Sequence, residues 1–259
     1  NSPIYSRGQK ENSKIYPLFS SSKGNATFIG NQNGGILIDV GVSCKRLCAA
    51  LAENDISPDS IQGIFITHTH SDHISGLKVF SKNYNIPVFA QEINLAELAE
   101  KDKVSPLCRL TAVDNCDICV GDFKVHSFST PHDTPASCGY RITTPDGKIV
   151  VTCTDLGEIT PTVTENLKNA DMVLLESNYD ENMLRNGSYP LELKKRITSN
   201  HGHLSNTDCD KQLINLLKNG TYKFILGHLS QENNTPQLAE SSAVRALSQI
   251  AKSNEYLLY

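Results

Sequence analysis

The segment Thr67-His68-Thr69-His70-Ser71-Asp72-His73 follows the apolar run 61–66, so three imidazoles and a carboxylate crowd behind what reads as a β-branched strand. Neutral imidazole and carboxylate are ligands for Zn²⁺ and similar first-row metals. If a helix opens directly after the strand, His68 and His70 project from the connecting loop while Asp72 and His73 come from the first turn. Four ligands then face one small volume from two sides, which suits a pair of metals better than one. The competing reading is a solvated polar loop that happens to be rich in histidine. With eight His in 259 residues, a cluster this dense is hard to credit to chance.

Ligands need rigid elements to aim them. Apolar and β-branched runs predict strands near 15–19, 25–30, 35–39, 61–66, 86–90, 123–128, 138–144, 148–153, 171–175, 222–226 and 255–259. Helical spacing predicts helices near 43–54, 72–83, 91–101, 190–198, 205–218 and 237–252. Strands dominate up to about residue 153 and alternate more regularly with helices afterwards. Two packed sheets with helices on both outer faces satisfy this order. Several strands end on polar residues: Asp39-Val40-Gly41, Pro131-His132-Asp133, Thr154-Asp155-Leu156-Gly157 and Gly227-His228.

The pattern His68-x-His70-x-Asp72-His73 after an apolar strand resembles the signature of the metallo-β-lactamase superfamily. That resemblance implies a four-layer αββα sandwich, two mixed β-sheets with helices on both outer faces, carrying one or two metals at one edge. Carried over position by position, it assigns His68, His70 and His132 to one metal. Asp72, His73 and His228 go to the second, and Asp155 bridges the two. Asp39 is implied as a residue that orients a ligand rather than a ligand itself. His126 competes with His132 but lies inside a strand pattern, whereas His132 follows a proline at a strand exit, where loops present ligands. His203 competes with His228, because Gly-His-Leu-Ser occurs at 202–205 and again at 227–230. Only the second copy follows an apolar strand; the first leads into a helix with Ser205 or Asn206 as its cap. His228 is therefore the expected metal ligand, and His203 either contacts substrate or simply opens the helix.

The segments Ser199–Asn206 and Gly227–Pro236, with Ser20–Asn25 and Glu176-Ser177-Asn178, resemble the compact YycJ/WalJ-type exonuclease subgroup, although Ser21 and Lys23 depart from the small residues of its N-terminal turn. The interval from Asp155 to His228 is too short for the large inserted domain of the RNA-processing branches. The subgroup implies a 5′→3′ exonuclease acting on nucleic acid, DNA ahead of RNA, through a hydroxide bridging two divalent metal ions. Such ions lower the pKa of bound water to about 7. Zn²⁺ and Mn²⁺ fit the ligand types, with Fe²⁺ also acceptable. Asp72 would help orient the hydroxide, and His203 would bind the phosphate or protonate the leaving oxygen. Asn233 and Asn234 either hydrogen-bond a phosphate or turn the chain. The alternative on the same fold is a thioester or lactone hydrolase resembling glyoxalase II, since fold does not fix function.

Composition sets the remaining bounds. Net charge is −4, so no global basic field marks a long duplex footprint. The one basic run, Lys194-Lys195-Arg196, reads first as a solvated helix face. No stretch approaches the roughly 20 apolar residues of a membrane span, and the opening residues hold no secretory h-region. The chain does not begin with Met, so targeting information is not readable from it. Eight scattered Cys do not form a disulfide framework in a chain this long. Cys116-x-x-Cys119 reads as a turn with buried thiols, and Cys44 and Cys48 as one core-facing helix stripe. A reducing, cytoplasmic compartment is expected. Residues 1–14 are polar and expected to fray, with one domain over 15–259. Oligomeric state leaves no readable signal.

Overall fold

In a computed structural model describing residues 12–114 and 116–259, the strand runs assemble into two sheets. The first contains β1 (Lys14–Ser21), β2 (Gly24–Asn31), β3 (Gly34–Ile38), β4 (Ile61–Phe65), β5 (Val88–Ala90) and β6 (Leu110–Ala112), in that order. β1 to β3 pair antiparallel and β3 to β6 parallel. The second contains β7 (Ile118–Val120), β8 (Phe123–Ser129), β9 (Cys138–Thr143), β10 (Ile149–Cys153), β11 (Met172–Glu176), β12 (Lys223–Gly227) and β13 (Leu257–Leu258), in the reverse spatial order. Here β7 to β10 are antiparallel and β10 to β13 parallel.

Nine helices lie among the described residues. They are α1 (Cys44–Glu53), α2 (Ser71–Ile74), α3 (Leu77–Asn83), α4 (Glu92–Glu100), α5 (Pro161–Leu167), α6 (Glu181–Asn186), α7 (Leu191–Ile197), α8 (Asn206–Lys218) and α9 (Pro236–Leu247). Their starts carry the expected caps. Ser205 accepts from Asp208 N–H at the head of α8, and Thr235 from Leu238 N–H ahead of Pro236 at the head of α9. The helix expected over 72–83 is broken into α2 and α3 around Gly76, where a Cβ would meet Val42 O at 1.9 Å.

The layers follow from strand periodicity. Successive side chains point to opposite faces, so Ile36 and Ile38 enter the inter-sheet core while Leu37 packs against the helices outside. Across the sheets, Val150 points inward, and Val151 and Cys153 outward. Phe65 stacks on Phe89 at 4.7 Å and meets Tyr140 edge-on at 5.5 Å, joining the sheets at their centre. Leu47, Leu51, Phe80 and Leu98 cover the first sheet, and Val163, Leu213, Leu216 and Leu247 the second. Each fully buried side chain of this kind contributes roughly 1.5–3 kcal/mol. The layering is αββα, as the sequence pattern implied.

Residues 1–11 of the segment expected to fray lie outside the described residues. The described start is tied down, since β1 begins at Lys14 and Ser13 N–H donates to Asp146 at 3.3 Å. The reading of Cys116 and Cys119 as buried thiols in a turn is corrected. Both are exposed, and Cys119 lies in β7, the sheet's edge strand, whose alternate residues Ile118 and Val120 take the buried positions. Among the described residues no helix is long and apolar enough to cross a membrane.

Candidate metal centre

Six strands deliver polar residues from their C-terminal ends to one edge of the sandwich, the usual place for a site in parallel sheets. β3 leads to Asp39, β4 to His68 and His70, β8 to His132, β10 to Asp155, β11 to Glu176, and β12 to His228. α2 adds Asp72 and His73. Three of these residues adopt left-handed backbone conformations: Asp39 (φ 62), Asp155 (φ 58) and His228 (φ 54). Non-glycine residues take that region at some cost, and they concentrate at functional sites. The chain turns there because continuing straight would carry these side chains past the cluster.

The loops are bolted together behind the site. Val40 N–H donates to His73 O at 2.9 Å, Gly76 N–H to Val40 O at 3.0 Å, and Gly41 N–H to Asn25 O at 2.7 Å. Gly41 passes so close to α2 that a Cβ would lie 1.6 Å from Asp72 O. The close backbone approach explains the glycine in Asp39-Val40-Gly41.

Ring orientation follows one rule. Each of four imidazoles has its Nδ1 engaged from outside the cluster. His73 donates to Asp39 at 2.7 Å, His228 to Glu176 at 2.7 Å, and His132 to Gly202 O at 3.1 Å. His68 Nδ1 lies 3.0 Å from Thr67 Oγ1, which in turn donates to Asp39 at 2.8 Å. Such outer bonds fix the tautomer and leave Nε2 as the bare nitrogen facing inward. His70 is the exception, with its Nδ1 3.1 Å from His68 Nε2.

Inward-facing atoms converge without satisfying one another. Asp155 Oδ1 lies 3.5 Å from His228 Nε2 and 3.6 Å from His132 Nε2, while its Oδ2 lies 3.2 Å from His73 Nε2 but out of line for a hydrogen bond. Asp72 Oδ2 lies 3.3 Å from His73 Nε2 and 3.6 Å from His228 Nε2. His132 Nε2, His228 Nε2 and Asp155 Oδ2 are buried with no hydrogen-bond partner. Leaving such atoms unpaired costs about 1–3 kcal/mol each, and a divalent cation at their focus removes the penalty. Donor atoms of His68, His70 and His132 lie within 4.8 Å of one another, as do those of Asp72, His73 and His228, and of His68, His73 and Asp155. A fourth group adds Glu176 and His203 to Asp155 and His228. Glu176 already accepts from three backbone N–H groups and two imidazoles, which leaves no lone pair for an ion.

Electrostatics agree with a site made for cations. Burial opposes charging of His73 and His228, yet the surrounding carboxylates outweigh it. Asp155 and Asp39 raise His73 well above its ordinary value, and Asp155, Asp72 and Glu176 hold His228 at about 10. Burial, then the neighbouring His73, pushes His68 well below its ordinary value. Burial would raise the Asp155 carboxyl, but His228, His73 and His68 hold it well below the usual range. The carboxylates favour positive charge at this cluster, which a divalent ion would supply.

His203 lines the pocket above this floor, 23% exposed, with Nδ1 3.0 Å from Glu176 and 3.7 Å from Asp155. His126 lies elsewhere, exposed and paired with Asp117 at 2.7 Å. Asn233 and Asn234, considered above as phosphate contacts, lie 2% and 3% exposed and do not line the pocket. Asn234 Nδ2 donates to Ser177 O, Asn178 O and Asn206 Oδ1 at 2.9, 3.1 and 2.8 Å, which clasps the chain before α9; that is the turn-forming alternative. The basic run on α7 is also not simply solvated. Lys194 Nζ donates to Arg185 O at 2.8 Å and Gly187 O at 2.7 Å, Lys195 pairs with Glu192 at 3.1 Å, and Arg196 pairs with Asp133 at the pocket mouth.

Sequence reasoning noted Glu176 without giving it a role. It is fully buried and accepts from Asp155 N, Leu156 N, Leu204 N, His203 Nδ1 and His228 Nδ1. Burial alone would raise its pKa, but His203 and His228 bring it down to about 2. The available signal was a carboxylate closing the apolar strand Met172–Glu176. Asn25 was missed as well; its Nδ2 lies 3.2 Å from Asp72 Oδ2 and 2.8 Å from Ser21 O, steadying Asp72 from the start of β2.

Residues 22–228 match the metallo-beta-lactamase superfamily, spanning all the strand ends that build the site. The chain belongs to that superfamily. Within it, the chain is 37% identical over 241 residues to an exodeoxyribonuclease WalJ of Streptococcus pneumoniae, covering 90% of this chain and 87% of the relative. It is 32% identical over 231 residues to an exodeoxyribonuclease YycJ of Bacillus anthracis, covering 89% and 87%. The metallo-beta-lactamase fold protein YhfI of Bacillus subtilis superposes with a TM-score of 0.71 over 95% of both chains at 15% identity, a likeness of fold alone. As in the superfamily at large, the site fits divalent metal ions.

Proposed function

We propose that this protein is a metal-dependent exodeoxyribonuclease that removes nucleotides from 5′ ends of DNA. The observation carrying this reading is the unpaired, inward-facing set His132 Nε2, His228 Nε2 and Asp155 Oδ2 in a chain 37% identical to an exodeoxyribonuclease. His68, His70 and His132 would hold one ion and Asp72, His73 and His228 the second, with Asp155 between them; Zn²⁺ and Mn²⁺ both suit these donors. Bound there, two ions supply an activated water near neutral pH and neutralise charge on the scissile phosphate.

The chain's own residues do the rest. Asp39 holds His73 by Nδ1 and Thr67 by its hydroxyl and N–H, keeping the His68 loop and α2 in register. Glu176 holds His228 and His203 together, so one carboxylate aligns a metal-facing ring and a substrate-facing ring. With Nδ1 of His203 engaged, Nε2 is the atom left to pass a proton to the departing oxygen, a role that typically contributes 10²–10⁴-fold. The pocket, about 250 Å³, is small for a ligand site, which favours a chain end over the middle of a duplex. Duplexes labelled at the 5′ or the 3′ end, with matched RNA, test the reading, with Asp72→Ala as control. Release from 5′-labelled DNA, absent in the control, is expected. Metallated protein that spares all nucleic acid would overturn it and point to thioesters or lactones.

A further inference from the structure

The pocket has two unlike sides. Its floor is the histidine and carboxylate cluster, while α7 and the residues before it contribute Tyr189, Leu193 and Ile197, spaced four apart in sequence. All three are half-buried, and α7 contains no fully buried residue, so this apolar stripe is not part of a core. Of the helix's cations only Arg196 lines the pocket, and all three are already engaged. Lys194 is committed to the carbonyls of Arg185 and Gly187, Lys195 to Glu192 and Arg196 to Asp133. An apolar wall facing an ion-binding floor across about 250 Å³ matches a molecule charged at one end and flat and apolar at the other.

We infer that Tyr189, Leu193 and Ile197 form a base wall, against which the nucleobase of the terminal nucleotide lies while the scissile phosphate on its 3′ side rests on the histidine floor. The inference rests on the nuclease reading of the site and adds how a single end nucleotide is held. Stacking and apolar contact tolerate every base because each has a π-face. A processing exonuclease needs that tolerance, and hydrogen-bonding readout would not give it.

The test compares binding of deoxyadenosine 3′-phosphate and deoxyribose 3-phosphate to zinc-loaded protein by calorimetry, in wild type, Tyr189→Ala, Leu193→Ala and Tyr189→Phe. Losing a stacking side chain weakens base binding about 5- to 150-fold. The wild type is expected to prefer the nucleotide by at least about tenfold. Each alanine variant should lose most of that preference with deoxyribose phosphate binding unchanged, and Tyr189→Phe should keep it. Equal affinity of the wild type for both ligands, or none for either, overturns the inference. So do alanine variants that keep the preference or weaken both ligands alike. A base preference in protein that cleaves no DNA would leave the wall standing and sink the nuclease reading; cleavage without base preference would do the opposite.

Discussion

Glu176→Gln keeps the shape of the side chain and reverses the logic of the hydrogen bonds around it. One carboxylate oxygen accepts from Leu156 N at 3.3 Å and Leu204 N at 2.9 Å. The other accepts from Asp155 N at 3.3 Å, His203 Nδ1 at 3.0 Å and His228 Nδ1 at 2.7 Å. A glutamine amide turned either way aims donor hydrogens at N–H groups. With the amide nitrogen toward the rings, His228 must give up its Nδ1 proton, which moves to Nε2, the atom facing Asp155 and Asp72. A protonated Nε2 cannot bind a metal. Bonds to a charged group contribute roughly 1.5–3 kcal/mol each, and two that share one carboxylate do not add fully. A loss of about 2–4 kcal/mol is expected, near 4–16 °C in Tm for a chain of this size. Loss of an outer partner of a ligating histidine typically lowers metal affinity about 10–100-fold. Thermal unfolding and competition for zinc against a chelator of known affinity measure both effects. A folded variant with unchanged zinc affinity would refute the reasoning.

The two Gly-His-Leu-Ser histidines should separate. His203→Ala is expected to cut turnover about 10²–10⁴-fold with metal content intact, whereas His228→Ala loses part of the metal by elemental analysis; the reverse result exchanges their roles. Stability of chelated protein should fall on both sides of neutrality. His228, raised from 6.5 to about 10, contributes fully below pH 6.5 and fades as pH rises through 10. Glu176, lowered from 4.5 to about 2, contributes above pH 4.5 and fades as pH falls through 2. Metal binding requires neutral imidazoles and releases protons, so metal affinity should climb from pH 6 to 8. Denaturant midpoints across pH check the first point, and chelated protein that gained stability steadily from pH 7 to 10 would contradict it.

The ligand-type residues were legible because they sit where apolar runs stop. β3, β4 and β10 are largely buried, and they read as apolar runs with the Asp39, His68 and Asp155 segments directly behind them, while the part-buried β12 reads the same way up to His228. β6 and β7, three residues each, are too short for alternation to declare itself. The short helices α5 and α6 went unread although Thr160-Pro161 and Asp180 carry ordinary cap signals. What a sequence conceals is pairing across long separations. Nothing local ties Glu176 to His203 and His228, or Asn25 to Asp72, because those contacts form only once segments 27 to 52 residues apart pack side by side. Asn234 is another case: its partners Ser177 and Asn206 lie far away in the chain and adjacent in space.

The most direct test strips the metal and restores it stepwise, following bound zinc or manganese and nucleotide release from 5′-labelled DNA in the same sample. Two ions per chain, with release appearing as the second binds and absent in Asp155→Ala, is the predicted result. Full release with one ion bound, or two bound ions and no cleavage of DNA, would contradict a paired-metal exonuclease built on this cluster.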